Sequence, residues 1–215
     1  MINKLKSFSI ATVLMFFILI GVNAQETANN LSAVGMKLFE SGQHMDAIVN
    51  FNKAIEIDNQ YYQAFFMRGV IKQNFEDHHG AMKDFNRAIE LNDKLSEAYF
   101  HRGNIKFLLQ DYYGSIDDYT KTISLNDGHI EAYFKRGLAK QQLEAYQEAI
   151  HDCSRILEIN PKNVDAYFLR GILRIEHGQL EGGCLDLSKA GELGDIKAYE
   201  VIKEKCNQKC FMQEF

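Results

Sequence analysis

Between Tyr112 and Leu125 the apolar positions fall at Tyr112, Ile116, Tyr119 and Ile123, with polar residues between them. That spacing lays one apolar stripe along a helix. The stretch before it, 98–109, carries Tyr99, Ile105 and Leu109 with Gly103 between them, and predicts a first helix paired with the second. The same two-helix pattern recurs along the chain. Gly35, Gly69, Gly103, Gly137 and Gly171 are spaced by 34 residues. A fixed period of this length decides the architecture, because each unit is one supersecondary piece that buries its apolar face only against its neighbours. With each glycine as position 8, five units follow: 28–61, 62–95, 96–129, 130–163 and 164–197.

Within a unit the positions have consistent characters. Position 20 is small (Ala47, Ala81, Ser115, Ala149, Gly183), position 24 is a core residue (Phe51, Phe85, Tyr119, Cys153, Leu187), and position 27 is mostly small (Ala54, Ala88, Thr122, Ala190, with Ile156 apart). A glycine inside a helix costs about 1 kcal/mol against alanine. Glycine in register in every unit predicts close approach of the paired helix at its small residue. Polar pairs at Asp58-Asn59, Asn92-Asp93, Asn126-Asp127, Asn160-Pro161 and Gly194-Asp195 mark the turns between units. In the fifth unit Gly182-Gly183 predicts a second helix that is bent or starts late. A further amphipathic helix is expected over 195–207, with Ile196, Tyr199, Ile202 and Cys206 on one face, as a cap for the array. A tail, 208–215, follows.

The unit resembles the tetratricopeptide repeat: an aromatic at position 4 (Phe65, Tyr99, Tyr133, Tyr167, with Leu31 in the first unit), Gly at 8, a small residue at 20, Phe or Tyr at 24 and Ala at 27. Proline stands at position 32 only as Pro161. The resemblance spans 28–197 and implies an all-α, right-handed solenoid of five tandem helix–turn–helix repeats with a C-terminal capping helix. It also implies a concave groove lined by the first helices, at positions 2, 5, 9 and 12. Carried over, position 5 supplies Phe66, Phe100, Phe134 and Phe168, and position 9 supplies Val70, Asn104, Leu138 and Ile172. Position 12 supplies Gln73, Phe107, Gln141 and Ile175, and position 2 supplies Gln63, Glu97, Glu131 and Asp165. This is an apolar floor with an acidic lip. Two readings of the floor stand: an open strip for an apolar, basic segment, or rings that pack on the next unit. The variable residue after each Phe (Met67, His101, Lys135, Leu169) is expected to be free to meet a partner. A carboxylate clamp of Lys and Asn at positions 5 and 9, found in some members of the family, is absent: Ser32 and Met36, then Phe66 and Val70, stand there.

Position 7 is Arg in four units (Arg68, Arg102, Arg136, Arg170) where the family usually has Leu. Position 11 is basic in the same four (Lys72, Lys106, Lys140, Arg174), and position 23 is Asp in the same four (Asp84, Asp118, Asp152, Asp186). The first unit has Val34, Leu38 and Asn50 instead. Positions four apart share a helix face, so each Asp is expected to lie between two cations. The reading adopted is an internal ion-pair ladder in which each cation has its own carboxylate, rather than an exposed ladder for anionic ligands.

Lys4 and Lys6 precede an apolar run over 8–22, followed by Val22-Asn23-Ala24. This is the three-part pattern of an export signal, with cleavage expected after Ala24 (1–24 removed). The run is shorter than the roughly 20 residues of a membrane-spanning helix; an uncleaved membrane anchor is the alternative. The mature chain is then expected in the periplasm or outside the cell, without stable membrane insertion. Net charge is −5, and loss of Lys4 and Lys6 takes it to −7, the opposite of a nucleic-acid footprint.

The chain has four cysteines. Cys153 sits at core position 24 and is expected to act as a buried hydrophobe. Cys184 on the last second helix and Cys206 on the cap form one possible disulfide; Cys206 with Cys210 is the other. His78-His79, after Glu76-Asp77, match no ligand spacing and read as a solvated turn. No nucleophile–base set, phosphate-cradling loop or cofactor motif stands out. The expected function is therefore non-enzymatic: an exported scaffold for protein or peptide partners, with no cofactor. An accessory for envelope glycan or another polymer is the alternative, and a thiol-redox protein using Cys206 and Cys210 is a third reading.

Overall fold

The computed structural model describes residues 10–206. Lys4, Lys6, Cys210 and the tail 208–215 lie outside them. Among the described residues the order is α1 (Ile10–Glu40), α2 (His44–Ile57), α3 (Tyr62–Asn74), α4 (His78–Leu91), α5 (Ser96–Leu108), α6 (Tyr112–Leu125), α7 (Ile130–Gln142), α8 (Tyr146–Ile159), α9 (Val164–Glu176), α10 (Leu180–Glu192) and α11 (Ile196–Val201), then a π-helical turn, Ile202–Cys206. There is no strand among them. The chain falls into two compact units, 1–98 and 99–215.

In the first unit α1 is a single helix of 31 residues that passes through Ala24 and Gln25 without a break. Its first buried residue among the described side chains is Ala28. From there α1 joins α2 and α3 in a core of Ala28, Ala47, Phe51, Ala54, Ala64 and Ile71. Small residues let the helix axes approach, and the rings of Phe51 and Phe85 fill the remaining space.

The helix-pair glycines show where that approach is made. A Cβ on Gly69 would lie 2.7 Å from Phe85 Cε1, one on Gly35 2.9 Å from Phe51 Cε1 and one on Gly103 2.9 Å from Tyr119 Cε1. The close neighbour is thus the position-24 ring, not the small residue expected from the sequence. Only Gly171 meets both: Leu187 Cγ at 2.8 Å and the Gly183 carbonyl oxygen at 3.0 Å. Gly183 permits this. A Cβ there would be 2.6 Å from Ile175 Cγ1. Gly182-Gly183 therefore neither delays nor breaks the helix, and α10 begins at Leu180, in register with α4, α6 and α8.

Turns between the two helices of each hairpin share one feature. Gly42, Glu76, Gln110, Glu144 and Gly178, all at position 15, have positive φ between 56° and 83°. The left-handed residue reverses the chain in the fewest steps, and at a non-glycine costs about 1 kcal/mol. Asp77 and Asp111 follow it in their hairpins and cap α4 and α6 by accepting from Gly80 N (2.9 Å) and Gly114 N (3.0 Å). At the other end of each unit, Asp58, Asn92, Asn126 and Asn160 accept from the backbone N–H two residues on. These Asx turns give the polar pairs their stopping power.

The second unit ends on α11, which begins like α9: Ala198-Tyr199 are its third and fourth residues, as Ala166-Tyr167 are in α9. It is a truncated first helix of a further hairpin. Of the face expected from the sequence, Ile202 packs beside Leu187 and Cys206 is disulfide-bonded, while Ile196 is left out. Ala198 is fully buried, with Val201 and Ile202 packed beside it, whereas Ile196 is 77% and Tyr199 53% exposed. Tyr199 nonetheless lays its ring on α10, where a Cβ on Gly191 would lie 2.7 Å from Tyr199 Cζ. The wider π turn then re-phases the chain and brings Cys206 to Cys184, to which it is disulfide-bonded. Cys206 is thus not available to pair with Cys210.

Candidate functional site

The repeated charges form layers. In the first unit Asp84 accepts from Arg68 Nε (2.9 Å), Arg68 Nη2 (2.6 Å) and Lys72 Nζ (2.7 Å). In the second unit Asp118 is met by Arg102 and Lys106, Asp152 by Arg136 and Lys140, and Asp186 by Arg170 and Arg174, all within 3.0 Å. All four carboxylates are buried. Each Asp lies between two cations, the arrangement expected from positions 7, 11 and 23, which leaves one surplus positive charge in every layer. Each arginine also lies over the ring at position 4, at 5.5–5.6 Å: Phe65, Tyr99, Tyr133 and Tyr167.

A second partner of these arginines was not foreseen. Arg68 Nη1 donates to Asn52 Oδ1 (2.6 Å), Arg136 Nη1 to Thr120 Oγ1 (3.0 Å) and Arg170 Nη1 to Ser154 Oγ (3.1 Å). Each acceptor sits at position 25 on the second helix of the preceding hairpin. One guanidinium thus joins two hairpins. The signal for it was a small polar residue in one register (Asn52, Asn86, Thr120, Ser154). Burial lowers the pKa of Arg102 and Arg170, but the hydrogen bonds and charges of Asp118 and Asp186 outweigh it, so both end above their ordinary value.

The groove residues have unequal fates. Phe100 is only 6% exposed and packs with Tyr119 and Ala132. Asn104 accepts from the Tyr119 hydroxyl at 2.8 Å, and Phe107 meets Tyr112 edge-on. Phe168 and Ile172 are half-buried beside Leu187. In the first unit Phe66 lies against Phe85, and Met67 against the core around Phe51. Leu169 was expected to be free for a partner; it is 6% exposed, in a cluster with Ala149, Cys153 and Leu173. His101 and Lys135 are half-buried. A continuous apolar strip is therefore not what the first helices present.

What they present in the second unit is a local cavity of about 410 Å³, lined by Ile130, Glu131, Phe134, Lys135, Asn163 and Asp165. α7 supplies the first four. The turn into α9 supplies the others, with Asn163 fixed because its side chain accepts from Ala166 N at 2.8 Å. Farther along, Gln141 Nε2 donates to Glu176 Oε2 at 3.0 Å and ties α7 to α9. Glu131 and Asp165 are exposed, and Phe134 and Leu138 rest on the core. Two carboxylates, one ammonium and a phenyl ring thus line one cavity.

Models of the tetratricopeptide repeat match residues 62–95, 130–163 and 153–184. The chain carries tetratricopeptide repeats. Solved structures of such repeats superpose on it. The MamA protein is 23% identical, with a TM-score of 0.73 over 81% of this chain and 95% of that one. YrrB, described as a tetratricopeptide-repeat protein with an unusual peptide-binding site, is 20% identical, with a TM-score of 0.76 over 88% and 97%. MamA of Desulfovibrio magneticus RS-1 is 14% identical, with a TM-score of 0.72 over 78% and 94%. At such identities the likeness is one of fold, an all-α repeat solenoid. No curated protein matches the chain by sequence.

Among the described residues no group of three or more His, Cys, Asp or Glu is placed to hold a metal ion. His78 opens α4, and its Nδ1 is buried without a partner, as is that of His44. No helix of the described residues is long and apolar enough to cross a membrane.

Proposed function

We propose that this protein is an exported scaffold that binds a protein or peptide segment and performs no chemistry of its own. The observation that carries the reading is the cavity over Phe134. Its phenyl face offers apolar contact, and Glu131 and Asp165 stand at its edge. A segment with an apolar side chain next to a Lys or Arg fits that pattern: the apolar group is desolvated on the ring while the cation stays near both carboxylates. The repeat contributes position, because Asn163 and the α7–α9 contact hold the lining on rigid helices.

Export is supported by Lys4 and Lys6, the apolar run and the small residues before Gln25.

Affinity capture from envelope extract tests the reading. One protein is expected in stoichiometric yield with the parent chain and in much reduced yield with Phe134→Ala or with Glu131→Lys/Asp165→Lys. Equal recovery by all three would remove the groove from the proposal.

A further inference from the structure

A second cavity lies in the first unit. It has a volume of about 660 Å³. Gln25 and Asn29 of α1 face it from one side, and Asp58, Tyr61, Tyr62 and Gln63, at the turn into α3, from the other. Its chemistry differs from that of the Phe134 cavity. There is no basic residue in the lining and a single acidic one, Asp58. Position 2, which is acidic as Glu97, Glu131 and Asp165, is here the neutral Gln63.

The side-chain amides of Gln25, Asn29 and Gln63 and the hydroxyls of Tyr61 and Tyr62 hydrogen-bond to no other described residue. Each amide holds two donors and an acceptor with two lone pairs, and each phenol one donor and an acceptor. A ligand that matches them must itself both donate and accept at several closely spaced points. Tyrosine adds a flat apolar body with a polar tip. Phosphorylated or sulfated ligands would find no cationic side chain in this lining and would face the Asp58 carboxylate. Lipid tails would strand its amides without partners, which is costly. Polyhydroxylated rings satisfy every condition: their hydroxyls donate and accept, and their C–H faces lie on aromatic rings. The volume is within the range of small-ligand sites and leaves room for more than one ring.

We propose that this cavity is a binding site for a neutral oligosaccharide, with Tyr62 as the stacking surface and Asn29 and Gln63 as the groups that read hydroxyls. Its lining shares no residue with the Phe134 cavity. It gives the scaffold a second attachment, to a glycan.

The full chain is titrated with maltotetraose, cellotetraose and chitotetraose, and binding is read by saturation-transfer NMR and calorimetry. At least one of the three is expected to bind at millimolar concentration or below. Tyr62→Ala and, on the opposite helix, Asn29→Ala are each expected to weaken it by roughly tenfold, about 1.4 kcal/mol. Circular dichroism melts show whether each variant folds, and Asn29 is an exposed residue outside the core. No signal from any of the three sugars at ten-millimolar scale overturns the proposal. So does binding that both folded variants retain at full strength. Binding at this cavity of a peptide recovered by affinity capture, with no sugar signal, assigns the site to protein partners and also overturns it.

Discussion

Leu169 and Cys153 share one buried space beside Gly137. A Cβ on Gly137 would find Leu169 Cδ2 at 3.8 Å and the Ala149 carbonyl oxygen at 3.8 Å, with no ring against it. In the hairpins of Gly35, Gly69 and Gly103 a position-24 ring occupies that place. Cys153 is too short to do so, and the next hairpin supplies Leu169 to close the gap. This exchange of size between neighbours explains why Leu169 is in the core although the residue in its register is elsewhere half-exposed.

The exchange inverts the effect of one substitution between hairpins. Gly137→Ala meets only ordinary van der Waals contacts and gains helix propensity, so it is expected to stabilise by up to about 1 kcal/mol. Gly103→Ala puts a methyl group 2.9 Å from Tyr119 Cε1 and is expected to destabilise by about 1–3 kcal/mol. Thermal melts of the two variants check it. A lowered Tm for both would show that the space beside Gly137 is not available.

Asp152 is wholly buried between Arg136 and Lys140. Asp152→Ala leaves two cations without a carboxylate, and the expected loss is about 3–5 kcal/mol. The loss is expected to persist at high salt, because a buried pair is poorly screened. Asp118→Ala repeats the test one hairpin earlier. A Tm unchanged in both variants would refute the bridging role.

Burial pushes the Cys153 thiol up to about 12, and the charge of Asp152 adds to the effect. The folded state therefore holds this proton more tightly than the unfolded chain does. Its contribution to stability is complete below the unfolded value of about 9 and is lost as pH rises from there towards 12. Cys153→Ala is expected to melt lower at neutral pH, with the gap to the parent narrowing above pH 9. Tyr119, also raised by burial, titrates in both chains and cancels in the difference. A gap that stays constant with pH counts against this account. Thiol reagents are expected to leave Cys153 unmodified in the folded chain.

The Cys184–Cys206 bond closes a separation of 22 residues. In the chain-entropy model its removal costs about 3 kcal/mol. Cys206→Ser is expected to lower the Tm and to speed amide exchange in α11 and the π turn first, since their apolar anchoring is limited to Ala198, Val201 and Ile202 in one cluster and the Tyr199 ring on Gly191. Exchange that is unchanged in α11 would mean that packing alone holds the cap.

The sequence by itself determined the all-helical repeat, its period and its register. These rest on local rules: apolar spacing on one helix, glycine at one position, Asx turns between units. Every residue that obeys them carries its own evidence. It also brought Arg68, Lys72 and Asp84 and their counterparts together as sets, because the three appear and vanish in the same units. Tertiary structure alone decided what else those sets touch. That the guanidinium reaches back to Asn52, Thr120 or Ser154 depends on distances across helices. It likewise decided which groove rings stay open. Phe100 and Phe134 occupy one register, yet Phe100 is closed over by Tyr119 and Ala132 while Phe134 lines a cavity. A repeat assigns every copy of a residue the same direction. Whether that direction ends in solvent or in packing depends on the size of its neighbours, and the period does not specify them.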